Sequence, residues 1–418
     1  MDFVSYISEF QQFPRLGLER MKYLMELLGN PQDGLRVIHV AGTNGKGSLC
    51  AYLDAVLTAA GYRVGKYSSP ELERVNERIT VSGKEIETGE LEALIRDIKP
   101  AVDEVCDRLD DAPSRFEIST AAAFLHFARQ KCDFAVLETG MGGRLDATNI
   151  CKKPLVSVIM PVAPDHQVHL GDTVGMIAGE KAGIIKPGVP VVCAPQTQEA
   201  LKVIERVCRE KGSPLHVTDA EGVFSRGTDG FHERIAYKGW MDVRVGLPGW
   251  HQAVNAAVAL DVVQVLRYHG MPVPDGAVLQ GIGGAQHKGR MEIFRQSPLL
   301  LFDGAHNTDG ACALACSLER YCPGRKMTVA MAVMRDKDID GMLHALRGVA
   351  KRFIALEVPD NPRALEAQAL LVYMRATGIE SVPGQTMEQV VSLQEDTVVC
   401  GSLYLYASFK RCMQKIYE

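Results

Sequence analysis

Val37-Ile38-His39-Val40-Ala41-Gly42-Thr43-Asn44-Gly45-Lys46-Gly47-Ser48 is the stretch that decides the fold of this chain. An apolar run of β type enters a glycine-rich turn that holds one lysine, and a helix-forming segment, 49–60, follows at once. Strand, glycine-rich loop and helix, in that order, build a phosphate cradle. Glycines let main-chain N–H groups approach the phosphate oxygens, and the helix N-terminus adds partial positive charge. Lys46 supplies a full charge for the terminal phosphates. The strict G-x-x-x-x-G-K-[ST] spacing is not met. Gly42 is too close to Lys46, Gly47 stands where the hydroxyl usually is, and Ser48 comes one place later. The stretch is therefore a P-loop variant, with Thr43, Asn44, Gly45, Lys46, Gly47 and Ser48 as its phosphate-facing residues. Taken alone, such a loop could be an ordinary strand-to-helix turn; the surrounding strand and helix favour the phosphate reading.

Working outward, 418 residues suggest two or three domains. Hydrophobic residues make up 46% and charged residues 23%, the profile of a soluble globular protein. Net charge is −5, aromatics are 6%, and no basic block of nucleic-acid-binding type occurs, which argues against polymer nucleic acid as a partner. No long uncharged apolar run suggests a membrane span. Met1-Asp2-Phe3 lacks the basic and apolar regions of a secretion signal, so a cytoplasmic location is expected. The 11 cysteines are odd in number, scattered and without C-x-x-C pairs, in keeping with that location. Cys312 and Cys316, one helical turn apart, are expected to face a core rather than bind metal.

Residues 1–34 read as helical, with Leu24, Leu27 and Leu28 on one face and a stop at Gly29-Asn30-Pro31. Strand patterns at 35–41, 63–67, 134–139, 155–160 and 189–194 alternate with helices at 90–109, 118–130 and 199–211. Such alternation predicts an α/β fold with a mostly parallel, helix-covered sheet. Segment 216–247 alternates short apolar and polar residues, as small antiparallel strands do, and helix 252–268 follows. A second α/β unit is expected from about residue 293, with strands at 299–302, 327–332, 352–358 and 397–400 and helices at 311–320, 339–348 and 364–376. The expected division is 1–293 and 294–418.

Other residues carry potential chemistry. Phe134-Ala135-Val136-Leu137-Glu138 ends a strand in an acid, which in nucleotide-binding sheets lies beside the P-loop and can hold Mg²⁺. Gly140-Met141-Gly142-Gly143-Arg144-Leu145-Asp146-Ala147-Thr148-Asn149 gathers three glycines, an arginine and an acid in one loop. Asp165-His166 follows a strand, and a neutral imidazole can ligate a metal beside carboxylates; His169 reads as a surface residue. Lys181 lies among small and apolar residues, where partial desolvation lowers an amine's pKa and permits reaction with CO₂ to a carbamate. A salt-bridged helix lysine is the plainer reading. Lys186, before Pro187-Gly188, reads as a helix C-terminal cation. Asp303 ends a strand before a helix and could accept from a ribose hydroxyl. Arg290 could pair with phosphate, and Asn255 could offer its amide to a base. For each of these three alone, a solvated surface residue is the simpler alternative.

Taken together, the motifs make the chain similar to the folylpolyglutamate synthase and dihydrofolate synthase family, a branch of the Mur ligases. They run collinearly through Gly17-Leu18-Glu19-Arg20, His39–Ser48, Ser68-Ser69-Pro70, Glu77-Arg78-Ile79, Phe116-Glu117, Glu138–Asn149, Asp165-His166, Glu180–Lys186, His251–Asn255, Gly289-Arg290, Asp303–Asn307 and Gly401-Ser402-Leu403-Tyr404. The resemblance implies a P-loop domain of the Mur-ligase central type and a smaller C-terminal Rossmann-like α/β domain. It implies ATP wrapped by Thr43–Ser48 and also contacted by Asn255, Arg290, Asp303 and His306. It implies Mg²⁺ at two sites, held through Ser69, Glu138 and His166. Lys46, Lys181 and His166 become catalytic candidates, with Lys181 matching the lysine found carbamylated. Phe116 and Asp146 match positions near the pterin. The implied reaction joins L-glutamate to a folate or dihydropteroate carboxylate through an acyl phosphate, in a monomeric enzyme. Two departures stand out: Glu71 where the family usually has His after Ser-Pro, and His287-Lys288 where it often has Trp-Pro before Gly-Arg. A Mur-type ligase for another carboxylate and amino acid, and a non-catalytic P-loop nucleotide-binding module, are the alternatives.

Overall fold

A computed structural model describes residues 3–10, 17–384 and 386–417. It divides into two units, one formed by 1–223 with 254–285 and the other by 224–253 with 286–418.

In the first unit, eight strands form one sheet: β1 (Arg36–Ala41), β2 (Val64–Tyr67), β3 (Ile79–Val81), β4 (Lys84–Glu85), β5 (Phe134–Glu138), β6 (Val156–Ile159), β7 (Val191–Cys193) and β8 (Leu215–Val217). Their order is β4-β3-β2-β5-β1-β6-β7-β8. From β2 to β8 all neighbours are parallel, while β3 and β4 add an antiparallel edge. β1 is the pivot. Its register sets Val40 opposite Glu138 on one side and Ala41 opposite Ile159 on the other. The loops leaving the carboxyl ends of β1, β5 and β6 are therefore neighbours, where ligands of parallel sheets bind. All of β5 and β6, and β1 after Arg36, are buried, as expected when helices cover both faces of a sheet.

The second unit holds β9 (Phe224–Asp229), β10 (His232–Tyr237) and β11 (Trp240–Arg244) in one antiparallel sheet. It also holds β12 (Glu292–Gln296), β13 (Leu299–Phe302), β14 (Met327–Met331), β15 (Ala350–Ala355), β16 (Glu380–Val382) and β17 (Thr397–Cys400), in the order β12-β13-β17-β14-β15-β16. Only β12 pairs antiparallel there.

The longer strands and helices fall within a few residues of their sequence patterns. The missed strands β3, β4, β8, β12 and β16 are short or lie at sheet edges, and too few residues carry their periodicity; residues 216–217, expected in the antiparallel segment, pair parallel with β7 instead. Four expectations change. The N-terminal segment is broken, with helices at Phe3–Ser8 and Glu19–Leu27 and residues 11–16 outside the described set. The second of these buries Met21, Leu24 and Met25, whereas Leu27 is exposed. Cys312 and Cys316 are exposed, because the helix Thr308–Tyr321 turns Ala311, Leu314, Ala315 and Leu318 inward. Lys186 lies beyond the end of its helix and donates to Asn149 O at 3.1 Å instead of capping it.

A single boundary at 293/294 also differs from the observed division, which groups 224–253 with the C-terminal unit. The reason is a buried carboxylate. Glu233 on β10 is fully buried and accepts from Arg320 Nε at 2.5 Å, Tyr321 Oη at 2.7 Å and Ser225 Oγ at 3.1 Å. A buried charge is tolerated only when so paired, and this one ties the small sheet to the helix Thr308–Tyr321. Among the described residues, no helix is long and apolar enough to cross a membrane.

Candidate active site

The phosphate loop is braced from below. Gly45 takes φ +81°, a left-handed conformation that glycine adopts at little cost, and starts the helix Lys46–Ala59. The first bond of that helix runs from Leu49 N to Gly45 O at 2.9 Å. The N–H groups of the first turn precede it, at the helix end that favours anions. Pro161 O accepts from Thr43 N at 2.8 Å, and Thr43 Oγ1 donates to Ala163 O at 3.0 Å while accepting from Ala163 N at 3.1 Å. Thr43 is thus a brace of the loop through its hydroxyl. Gln196, which sequence reasoning missed, clamps the supporting segment through Val162 N and Met160 O. A Cβ on Gly45 would come within 3.0 Å of Asn255 Oδ1, so Asn255 stands against the P-loop as anticipated. Lys46 Nζ folds back to Thr43 O at 3.3 Å.

Lys181 joins this loop from 139 residues away. It is 4% exposed, in the last turn of the helix Val174–Ala182, and its Nζ donates to Gly42 O at 2.8 Å. Burial lowers its pKa to about 7, helped by the Lys46 charge and opposed by Asp165 and Asp146. Near neutral pH a large share of this amine is therefore unprotonated and nucleophilic.

The loop 140–149 is shaped by Asp146. Its Oδ2 accepts from Gly140 N at 2.8 Å and Met141 N at 3.0 Å; its Oδ1 accepts from Thr148 N at 3.0 Å and Thr148 Oγ1 at 2.5 Å. Asp146, anticipated beside a substrate, turns both oxygens into its own loop. Asp146→Asn places an amide N–H₂ against N–H donors and is expected to cost about 1–3 kcal/mol in urea unfolding, the penalty for an unsatisfied buried donor. The loop is tied to the Lys181 helix by Arg144 N donating to Glu180 O at 2.8 Å and by Asn149 Nδ2 donating to Gly183 O at 3.1 Å. The approach is tight enough that a Cβ on Gly183 would lie 2.5 Å from Arg144 Cα. Gly183 has helical φ and ψ, so Gly183→Ala is a steric test alone; it should lose about 1–3 kcal/mol in the same assay through overpacking.

Phe116 closes the other side of the loop. A Cβ on Gly140 would meet its Cζ at 2.6 Å, and its ring lies 5.8 Å from that of Tyr67. Glu138, buried at the end of β5, has its Oε2 at 3.4 Å from Ser69 N, so these two expected metal-site residues meet. Mg²⁺ takes one or two carboxylates and completes its shell with hydroxyl, water and phosphate oxygens. The Glu138 carboxylate and Ser69 hydroxyl fit that donor chemistry. His166, the third expected ligand, has its Nε2 at 3.8 Å from Asp165 Oδ2, and its main-chain N–H donates to Asp165 Oδ1 at 2.9 Å. Among the described residues, no three His, Cys, Asp or Glu side chains gather closely enough to hold a metal ion by themselves. Asp165 was not anticipated as a site residue; its charge acts on both His166 and Lys181.

In the second unit, Arg290, Asp303 and His306 come together. Asp303 accepts from Met291 N and Ala305 N, each at 2.8 Å, one on each carboxylate oxygen. Gly304 O accepts from Arg290 Nη1 at 3.1 Å and lies 2.8 Å from His306 Nδ1.

The Mur ligase middle domain matches residues 40–263, and the Mur ligase glutamate ligase domain matches 289–402. Dihydrofolate synthase/folylpolyglutamate synthase of Bacillus subtilis is 38% identical over 361 residues, spanning 85% of this chain and 84% of that protein. The chain belongs to the folylpolyglutamate synthase and dihydrofolate synthase family of Mur ligases. It is an ATP-dependent ligase. Folylpolyglutamate synthase of Mycobacterium tuberculosis, solved with ADP and AMPPCP, superposes with a TM-score of 0.88 at 31% identity, covering 99% of each chain. An FPGS–AMPPCP–folate complex gives a TM-score of 0.84 at 31% identity and covers 98% of this chain and 99% of that one.

An ion pair begins two residues after Ser69. Glu71 Oε2 accepts from Arg78 Nε at 2.5 Å, and the Tyr67 hydroxyl lies on the same guanidinium. Glu71 thus neutralises Arg78. The sequence gives a signal for this only in retrospect, since Ser68 N must first donate to Arg78 O and close the turn.

Proposed function

We propose that this ligase adds L-glutamate to a folate-type carboxylate. ATP transfers its γ-phosphoryl group to the acceptor carboxylate, ADP leaves, and an acyl phosphate forms. The glutamate α-amine then attacks the acyl carbon. The C–O bond to phosphate breaks, phosphate departs, and the amine proton is released.

The observation that supports this reading is that Lys46 and Lys181 both donate to carbonyls of the turn leaving β1, while the Glu138–Ser69 pair lies at the carboxyl ends of the neighbouring parallel strands β5 and β2. Phosphoryl transfer needs little covalent help; it needs positioning and charge neutralisation. Main-chain N–H groups and Lys46 would oppose charge on the β- and γ-phosphates. Bound Mg²⁺, on Glu138, Ser69 and His166, would neutralise phosphate charge and polarise the transferring group. Lys181 as a carbamate would keep an N–H to donate to Gly42 O while presenting a new anion. Arg290, Asp303, His306 and Asn255 are assigned to ATP, and Phe116 to a flat ring system of the acceptor.

The test is ADP release with dihydropteroate or tetrahydrofolate, each with L-glutamate and each against an amine-free control. Release that requires both acceptor and glutamate is the expected result. ADP release independent of either, or release with a different acid and amino acid only, overturns the reading. The Glu71–Arg78 pair bears on the acceptor: Glu71→Gln frees a cation beside Ser69 and is expected to lower KM for acceptors that carry more carboxylates.

A further inference from the structure

The first unit buries a histidine that the reaction outlined above does not use. His39 sits in the middle of β1, opposite Leu137 on β5 and Ser157 on β6, with no exposed surface. Its Nε2 lies 2.8 Å from Thr148 Oγ1, and its Nδ1 is buried with no hydrogen-bond partner. The proton positions follow from counting. The Thr148 hydroxyl has one hydrogen and gives it to Asp146 Oδ1 at 2.5 Å. Burial raises the Asp146 pKa, and the hydrogen bonds from Thr148, Met141 and Gly140 oppose that rise; with three main-chain N–H groups and this hydroxyl it accepts four hydrogen bonds, the full complement of an ionised carboxylate. Thr148 Oγ1 can then only accept from the imidazole, so the ring carries its proton on Nε2 and leaves Nδ1 bare. A bare buried acceptor costs stability. A leucine would fill the same place without that cost, but it could not donate.

We propose that His39 is a positioning residue: from the strand that carries the phosphate loop, its Nε2–H orients the Thr148 hydroxyl and through it Asp146, fixing the loop 140–149 that walls the acceptor side. One strand then sets both halves of the chemistry. Its carboxyl end becomes the P-loop, and its interior holds the loop packed on Phe116 through Gly140 and on the Lys181 helix through Gly143 and Gly183. The relay spans 109 residues of sequence between His39 and Thr148. That this loop walls an acceptor rests on the function proposed above; the relay itself does not.

The test compares His39→Leu with His39→Gln, whose amide keeps a donor at similar reach. Amide hydrogen exchange is read at Gly140, Met141 and Thr148. Exchange at these three should quicken in His39→Leu and stay near wild type in His39→Gln. The nitrogen-15 spectrum of histidine-labelled wild-type protein, assigned by the signals lost in His39→Gln, should show Nε2 protonated and Nδ1 bare. In turnover, His39→Leu should raise KM for the acceptor by about tenfold, below the hundredfold that an ångström of misplacement can cost, with KM for ATP unchanged and His39→Gln restored. Unchanged loop exchange in His39→Leu, an Nδ1-protonated ring, or equal behaviour of the two variants overturns the proposal. Absence of turnover with either folate-type acceptor counts against the proposed function alone, because exchange and tautomer decide the relay without it.

Discussion

Lys46→Ala is expected to lower kcat by at least about a hundredfold at saturating ATP and Mg²⁺, the effect of losing one preorganised electrostatic contact worth about 3 kcal/mol. Lys46 is the first residue of its helix, where alanine is well tolerated, and its ammonium donates to Thr43 O. Thermal unfolding should therefore stay close to that of the wild type, separating lost chemistry from lost fold. The substitution has a second consequence. The Lys46 charge helps to depress the pKa of Lys181, so its removal returns Lys181 toward the ammonium form. Lys46→Arg keeps the charge but exchanges a compact ammonium for a planar fork, and it should remain impaired. Near-native turnover in Lys46→Ala would remove the P-loop from the mechanism. Glu138→Ala tests the other side of the same phosphate and should fall by a similar factor.

Lys181→Ala should lose activity by a factor on the order of a hundred, as removal of a preorganised charge does, and short carboxylates such as acetate should restore part of it. Labelled bicarbonate should give a carbamate carbon signal in the wild type and none in the variant. A fully active Lys181→Ala, or an unchanged carbamate signal, would end the carbamate assignment. The buried amine also carries a pH signature in stability. Its folded pKa is lowered to about 7, while an unfolded lysine titrates near 10.4. Between these values the unfolded chain binds more protons, so stability from this group rises with pH across that window. Below about pH 7 both states are charged and the full cost of burying an ammonium is felt. Lys181→Met, which removes the charge and keeps the volume, should raise the unfolding temperature most near pH 6, and the gain should shrink steadily toward pH 10. A gain that grew with pH would contradict the depressed pKa.

Much of the candidate site was legible in contiguous residues. β1, the phosphate loop and its helix are written in one run, since an apolar β-branched stretch, a glycine able to take positive φ, and a following helix former are all local properties. The acid at the end of β5 and the glycine-dense loop after it were legible for the same reason. So was the resemblance to the family, because it rests on short motifs in fixed order. Individual roles were less legible. Asp146 and Asp303 read as acids beside a ligand, and the main-chain N–H groups that each also accepts from come from tertiary contacts and turns that the sequence pattern does not show. Cys312 and Cys316 have the spacing of one helix face but lie on the exposed one.

The chain alone determined the strand, the glycine-rich turn 42–48 and the helix that follows it, because backbone conformation there depends on neighbours in sequence. Folding decided which distant groups complete that turn. Lys181 reaches Gly42, His39 reaches Thr148, and Glu233 binds a small sheet to the helix Thr308–Tyr321. Each is a polar group taken out of water, and such a group settles only where the tertiary structure supplies its partner, a requirement that no local pattern of residues encodes.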